Sequence, residues 1–186
     1  MTCPFQRDEK VHPKTVVYAM PADFCQVFDK HVDSLYTLGL LLTADHSKAD
    51  QCFVAGLDDC LHGGPVFREW VHSWARRTVV KNAIRMTSRV PNQTRTAGKP
   101  EPVANAHPIV AAITSLQPFE RFVFVLSVLE KYPDRECATL LDCTVRQVVD
   151  ARTKAVQRLV GMLHREGVTP TISTPIGLIP SYGEVL

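Results

Sequence analysis

Residues 116–159 contain two short apolar periods separated by a tight polar break, and this pattern constrains the fold more than any other feature of the chain. On both sides of the break the apolar residues recur at the spacing of an amphipathic helix. Those before it are Cys137, Ala138, Leu140 and Leu141, and those after it are Val145, Val148, Val149, Ala155, Val156 and Leu159. Because only Asp142-Cys143-Thr144 separates the two periods, the pattern predicts two helices joined by a short turn.

The second of these helices has a recognisable start. Thr144 is a good N-cap residue, and Gln147 lies three residues later, where it completes a capping box. The first turn would then present Arg146, Gln147 and Asp150 outward, as the second helix of a DNA-binding helix-turn-helix presents its base-contacting residues. An ordinary pair of core helices remains open as an alternative, because periodicity establishes helices and not their use.

A gap-free series of residues in this stretch also follows a family pattern: Leu116, Arg121, Val123, Leu126, Glu130, Glu136, Ala138, Leu141, Thr144, Val148, Ala155 and Leu159. It resembles the C-terminal domain of bacterial RNA polymerase sigma factors of the extracytoplasmic-function group. In that family the domain is a helix-turn-helix that reads the upstream, minus-thirty-five promoter element. The resemblance implies that promoter DNA is contacted here by Thr144, Arg146, Gln147, Asp150 and Lys154.

Positive charge is concentrated on a helix that we predict to start at Pro65. Its apolar stripe places both Trp70 and Trp74 in the core. The stretch 68–99 carries eight basic residues against the single acid Glu69, although the whole chain is nearly neutral, with 21 Lys+Arg against 19 Asp+Glu. This charge could belong to a solvated helix face or to a surface that binds a polyanion. So large an excess of basic residues favours the polyanion-binding surface.

The N-terminal half resembles the same family. Its promoter-melting domain is matched at the start by Leu35, Tyr36, Leu38, Leu42, Asp45 and Ala49, and in its aromatic and basic helix by Phe67, Arg68, Trp70, Val71, Ala75 and Arg76. In the family this helix binds the minus-ten element and helps to extrude bases. Cations would neutralise phosphates while polar groups hold unpaired bases. By analogy, the residues concerned are Arg76, Arg77, Lys81, Asn82 and Arg85.

The chain departs from the family in several places. The family's second helix grips the polymerase clamp with acidic and glutamine side chains, and most of that grip is absent at the corresponding positions, Asp50, Gln51, Val54 and Ala55. Asp142 replaces the usual glycine of the turn, which an Asp tolerates better than most residues. Ala151 replaces a basic residue, and Arg152 replaces an apolar one. Residues 134–159 carry five basic side chains against four acidic ones, so this segment alone would bind phosphates weakly.

Composition divides the chain into two helical domains. Residues 87–108 hold four prolines and few large apolar side chains, so they cannot bury enough surface to fold. We expect one long helix over 21–43, a second from Ser47, a third from Pro65, and renewed helices from Pro108. The prediction is an all-α protein with a poorly ordered leader at 1–20, a promoter-melting (sigma region 2-like) domain at 21–88, a linker at 89–107, a helix-turn-helix (sigma region 4-like) domain at 108–166 and an extended tail at 167–186.

Cysteine use and the N-terminus indicate the compartment. Six cysteines would permit disulfides in a secreted protein, but the start of the chain, MTCPFQRDEK, is charged and has no apolar signal core. The longest apolar run, near 38–42, is too short to span a membrane. We therefore expect a soluble, cytoplasmic protein without membrane association, in which Cys52, Cys137 and Cys143 are buried thiols.

The sequence carries no motif for catalysis or for a cofactor. Cys52, Cys60 and His62, with His46, lack the paired spacing of structural zinc sites. A phosphate-binding glycine loop, a nucleophile elbow and a His-Glu metal pair are all absent from the sequence. We therefore expect no enzymatic activity, no metal and no cofactor.

The expected function is that of a sigma-factor-like transcription initiation protein that binds core RNA polymerase and promoter DNA, with an anti-sigma protein as a further candidate partner. The alternative is a sigma-derived adaptor or regulator that acts through protein-protein contacts without promoter recognition. It is motivated by the missing clamp residues, the weak charge of the recognition helix and the proline-rich tail. An exposed apolar patch at Val54 and Leu57 would favour the adaptor, whereas a continuous basic stripe would favour DNA.

Overall fold

The computed structural model describes residues 17–88 and 107–165, and the chain is all-helical over these ranges, as predicted. The described residues form eight α-helices: α1 Pro21–Lys30, α2 Val32–Thr43, α3 His46–Leu61, α4 Val71–Ser88, α5 Pro108–Thr114, α6 Pro118–Phe124, α7 Asp134–Leu140 and α8 Val145–Arg165. A 3-10 turn, Arg68–Trp70, precedes α4, and a π-helical segment, Val125–Leu129, follows α6. None of the described helices is long and apolar enough to cross a membrane.

The single long helix predicted over 21–43 is wrong, because the chain breaks at His31. The backbone of His31, with φ −117° and ψ 24°, lies outside the helical region. The break lets α1 pack on α3 and α4, while α2 packs on the same helices and also on α5 and α6. Since Phe28 before the break and Leu35 after it are both buried, the apolar spacing does not reveal the change of direction.

The start of α3 also differs from the prediction. Asp45, and not Ser47, is the N-cap residue, and its Oδ1 accepts a hydrogen bond from the Lys48 N–H at 3.0 Å. Ala44, just before the cap, has the left-handed φ of 54°. The turn between α2 and α3 is therefore tighter than the sequence suggested.

The helix predicted from Pro65 begins only at the 3-10 turn and continues as α4. The residues before that turn are extended and pair with residues 17–19, the end of the predicted leader. Ala19 donates its N–H to the Val66 carbonyl at 2.8 Å, and Arg68 donates to the Val17 carbonyl at 2.9 Å. This pairing keeps Pro65 out of the helix and shows that residues 17–19 are docked.

The later helices assemble around α8, the longest of those described. Helices α5, α6 and α7 all contact it. Pro108 and Pro118 open α5 and α6, where the missing proline N–H leaves no helical hydrogen bond unmade. The predicted restart of helical structure at Pro108 is confirmed.

Helices from both halves of the chain share one hydrophobic core. Helix α2, from the first half, contacts α5 and α6 from the second. The predicted linker (except residue 107), the predicted tail and residues 1–16 lie outside the described residues. The division into two domains therefore stays a prediction.

Candidate nucleic-acid interface

The turn between α7 and α8 has the geometry that its residues predict. Asp142 adopts the left-handed φ of 50°, the conformation that the usual glycine would supply. The Cys143 N–H donates to the Ala138 carbonyl at 3.0 Å, which closes the end of α7. Burial raises the pKa of the half-buried Cys143 thiol, and the nearby Asp142 carboxylate raises it further.

The predicted capping box at the start of α8 is confirmed. The Thr144 N–H donates to Gln147 Oε1 at 2.8 Å, and the Gln147 N–H donates to Thr144 Oγ1 at 3.2 Å. The Thr144 hydroxyl is also within hydrogen-bonding distance of Gln147 Oε1, at 2.9 Å. Both side chains are exposed, but their polar atoms already hold the helix start. Their first role is therefore to fix the direction of α8.

Helix α8 presents a free polar face at its N-terminal end. Its buried face consists of Val148, Ala151, Ala155 and Leu159. Arg146, Asp150 and Lys154 are exposed, and within the described ranges none of the three takes part in an ion pair. The polar groups predicted to contact DNA at Arg146, Asp150 and Lys154 are thus open to a ligand.

Two other cations of the later half support the fold. Arg152 donates to both carboxylate oxygens of Asp134 in α7, at 2.5 and 3.2 Å. Arg158 donates to Glu120 of α6 at 2.5 Å. These pairs explain why Arg152 can replace an apolar residue, and they reduce the positive charge that α8 offers to phosphates.

Helix α8 also exposes a stripe of valines beside its polar face. Val145, Val149, Val156 and Val160 are each more than a third exposed, and their spacing of four, seven and four residues places them on one side of the helix. Arg152 lies on the same side. This apolar surface lacks a cover in the described part of the chain.

Arg76 and Arg77 on the basic face of α4 are both paired with carboxylates, and their predicted contact with DNA stays a prediction. Arg76 makes a two-pronged ion pair with Glu130, in which its Nε lies 2.8 Å from Oε2. Arg77 Nη1 donates to Glu136 Oε1 at 2.6 Å. Both carboxylates come from the second half of the chain. The hydrogen bond to Glu130 raises the pKa of Arg76.

The remaining predicted residues of α4 are also engaged. Asn82 is only 5% exposed, and its Nδ2 donates to Asp59 at 2.9 Å and to the Thr78 carbonyl at 3.0 Å. Arg85 lies 3.4 Å from the same Asp59 carboxylate. The Lys81 ammonium lies over the Trp74 ring, 5.6 Å from its centroid. Asn82 therefore serves the fold and cannot hold an unpaired base in this arrangement.

Trp70 is not a core residue, contrary to the prediction. It is 54% exposed, because the 3-10 turn rotates it off the apolar stripe of α4. Its ring meets that of Phe67 edge to face, with the ring centroids 4.8 Å apart. Trp74 is half-buried. With Tyr132, both tryptophans line a groove of about 490 Å³ beside the Arg76–Glu130 and Arg77–Glu136 pairs.

A histidine pair lies on the same side of the molecule. The rings of His31 and His72 are 4.5 Å apart between centroids. Burial lowers the pKa of His72, His31 and Arg76 lower it further, and Glu130 acts in the opposite direction. His72 is thus electrostatically coupled to the Arg76–Glu130 pair.

The residues aligned with the family's polymerase grip form an exposed surface on α3. Asp50, Gln51 and Val54 are exposed, Val54 by 66%, and Ala55 is partly buried. Leu57 is partly buried against the core, so Val54 is the more exposed of the two residues. Over the described residues the basic stripe is interrupted, since carboxylates pair with Arg76, Arg77 and Arg85 of α4.

Three residues that matter for this surface were not recognised in the sequence as site residues. Glu130 and Glu136 belong to the sequence pattern that resembles the sigma family, and in the structure they pair with Arg76 and Arg77 of α4. Arg121 is 5% exposed and bridges the two halves of the chain. A charge count over neighbouring residues cannot find such pairs, because Arg76 and Glu130 lie far apart in the sequence.

The described residues offer no group of three or more His, Cys, Asp or Glu side chains that could hold a metal ion. Cys52 and Cys137 are buried, as expected, and burial raises the pKa of each thiol to about 11. Cys60 is also buried, and its Sγ lies 3.3 Å from Thr78 Oγ1. These thiols are protonated at neutral pH and pack as apolar side chains.

No protein-family model matches the sequence, and no curated protein is significantly similar to it.

Proposed function

We propose that the protein is a sigma-factor-like transcription initiation protein that binds core RNA polymerase and recognises promoter DNA. One observation carries this proposal, the capped start of α8 after the left-handed turn at Asp142. That turn directs an exposed, unpaired Arg146, Asp150 and Lys154 away from the core. In the proposal, α7 and α8 act as a helix-turn-helix whose second helix enters the major groove.

In this proposal the base-reading role belongs to Arg146 and Asp150, and Lys154 contacts phosphate. An arginine can donate two hydrogen bonds to guanine, and an aspartate can accept one from cytosine. Thr144 and Gln147 orient the helix through their capping hydrogen bonds. Only those of their polar groups that the capping box does not use are free to contact DNA. The cations of α4 would bind the melted strand, and the exposed face of α3 at Asp50, Gln51 and Val54 would contact the polymerase.

A second candidate, the sigma-derived adaptor that acts through protein contacts, is favoured by the valines of α8. Val145, Val149, Val156 and Val160 are exposed along one side of the proposed recognition helix. Exposed apolar stripes of this kind often mark protein interfaces. In this case Arg146 and Lys154 would serve as the polar rim of a protein contact.

Co-elution with core RNA polymerase tests the first proposal against the second. The purified chain is mixed at moderate salt with core polymerase from its own source and run on a sizing column. We expect stoichiometric co-elution, with Val54→Glu weakening it and the exposed-site control Lys30→Ala leaving it unchanged. If the folded chain elutes apart from the polymerase, the sigma-factor proposal is wrong and the adaptor proposal takes its place.

Promoter binding is then tested with Arg146→Ala. Genomic fragments selected by the polymerase complex provide the DNA. Loss of a good base contact costs about 1–3 kcal/mol, so we expect a roughly five- to hundredfold loss of occupancy. Lys30→Ala removes one positive charge from an exposed position on α1 and serves as the matched control. Equal occupancy for the two variants would mean that Arg146 does not read DNA.

A further inference from the structure

The valine stripe of α8 is an apolar surface without a cover in the part of the chain that the structure describes. Its members, Val145, Val149, Val156 and Val160, are between 39% and 48% exposed. A helix rises about 1.5 Å per residue, so the stripe is about 22 Å long. A row of exposed apolar side chains of this length favours contact with another segment.

A second copy of the chain fits this stripe poorly. Helix α8 carries five basic residues against the single acid Asp150, so two copies packed through α8 would bring like charges together. Four valines that are each less than half exposed also offer only a small part of the about 800 Å² that each partner buries in a stable interface. A better occupant is a short apolar segment without positive charge.

The tail at 167–186 has this composition, and it begins two residues after α8 ends. It contains no Lys or Arg and a single acid, Glu184, so the basic helix does not repel it. Its three prolines recur every five residues, a spacing that favours an extended chain over a helix. The aliphatic residues of its central part are Ile172, Ile176, Leu178 and Ile179.

The tail is also long enough to return along α8. An extended chain advances about 3.1 Å per residue, roughly twice the rise of a helix. The stretch from Ile172 to Ile179 would therefore span about 22 Å, which is the length of the stripe from Val160 back to Val145. Six residues separate Arg165 from Ile172, and they suffice to reverse the direction of the chain.

We propose that the tail docks on α8 as an extended segment antiparallel to the helix, with Ile172 near Val160 and Ile179 near Val145. Burial of aliphatic side chains against the valines stabilises this contact. The polar face of α8 lies further round the helix and stays open. The inference does not depend on the proposed function, because it concerns a different side of α8. It accounts for the exposed valines without a separate protein partner.

Site-specific photo-crosslinking of the full chain tests this contact. The photoreactive residue p-benzoylphenylalanine replaces Val156 in one variant and Gln157 in the matched control. Both positions are exposed and lie in the same tryptic fragment, residues 155–158, but only Val156 belongs to the stripe. Residues 166–186 contain no Lys or Arg, so trypsin releases them as one peptide. Mass spectrometry after irradiation identifies what is linked to residues 155–158.

We expect the Val156 variant to link to the peptide 166–186 of the same chain, in a yield at least about fivefold that of the Gln157 variant, which points to another side of the helix. A link to a second chain, seen as a dimer on a denaturing gel, would replace the tail by a second copy and overturn the inference. Equal yields at the two positions, or no link to this peptide, would show that the tail does not dock on the stripe.

Substitutions in the tail then test whether its aliphatic side chains hold it on α8. In the Val156 photo-crosslinking variant, Ile172→Ser/Ile179→Ser should lower the yield at least about fivefold, because two apolar contacts are lost. The control, Thr171→Ser/Thr174→Ser, also introduces two serines into the tail and should leave the yield unchanged. Circular dichroism confirms that each chain is folded. Equal yields for the two double substitutions would mean that these isoleucines do not bind the valines, and the inference would be wrong.

Discussion

Arg121 shows at the scale of a residue how a buried charge can join two parts of a chain. It makes no ion pair in the described residues, and its guanidinium instead meets four backbone carbonyls. The carbonyls of Leu42 and Thr43 lie at the C-terminal end of α2. The last carbonyls of a helix have no partner within the helix and carry partial negative charge, so they favour a cation. Desolvation lowers the pKa of Arg121 to about 10, so the side chain stays charged at neutral pH.

Replacement of Arg121 by methionine is expected to lower the free energy of unfolding by about 2–4 kcal/mol, because buried carbonyls lose charged donors. Urea unfolding followed by circular dichroism measures the change. Arg121→Lys keeps the charge but cannot reach carbonyls on two sides, so we expect an intermediate loss. An unchanged midpoint for the methionine variant would show that the four hydrogen bonds contribute nothing net.

At the scale of an element, α8 depends on the turn before it. Asp142 supplies the left-handed residue and Thr144 with Gln147 supplies the capping box. These short-range interactions set where the helix starts and where Arg146 points. The residues that orient the proposed recognition helix are therefore different from those proposed to read DNA.

Gln147→Ala is expected to lower the free energy of unfolding by about 1 kcal/mol through loss of the capping box. Gln157→Ala, an exposed substitution further along α8, should have little effect and is the matched control. Gln147→Glu preserves the capping geometry and should retain most of the stability. The midpoints of urea unfolding measure the stability of each variant. Equal midpoints for the two alanine variants would contradict a capping role for Gln147.

At the scale of the whole molecule, ion pairs between distant segments decide which cations remain free. Arg76 and Arg77 are neutralised by carboxylates of the second half, and Arg85 by Asp59 of α3. Arg146 and Lys154 of α8 are left without an ion pair in the described part of the chain. Within the described residues, three of the four cations of α4 are thus paired with carboxylates, and the fourth, Lys81, lies over the Trp74 ring.

A double-mutant cycle on Arg76→Ala and Glu130→Ala is expected to give a coupling free energy of about 1–2 kcal/mol, because the pair is two-pronged and partly buried. The same cycle on Arg85 and Asp59, which are more exposed and 3.4 Å apart, should give less than about 0.5 kcal/mol. Urea unfolding supplies all the values. Equal coupling in the two cycles would show that burial does not strengthen the Arg76–Glu130 pair.

Sequence reasoning succeeded where the deciding interactions are local. The helical class, the restart at Pro108, the left-handed tolerance of Asp142 and the Thr144–Gln147 capping box all depend on residues within a few positions of one another. It failed at His31, where α1 and α2 separate, and at Trp70, which the 3-10 turn moves out of the core. In both places tertiary packing overrides a regular apolar spacing.

By itself, the sequence determined which segments are helical in most of the described chain and how the proposed recognition helix begins, because hydrogen bonds and apolar periodicity within a helix act over three or four residues. Only the tertiary structure decided which charges are available to a ligand. An ion pair such as Arg76–Glu130 joins residues far apart in the chain, and its strength depends on the burial that packing creates.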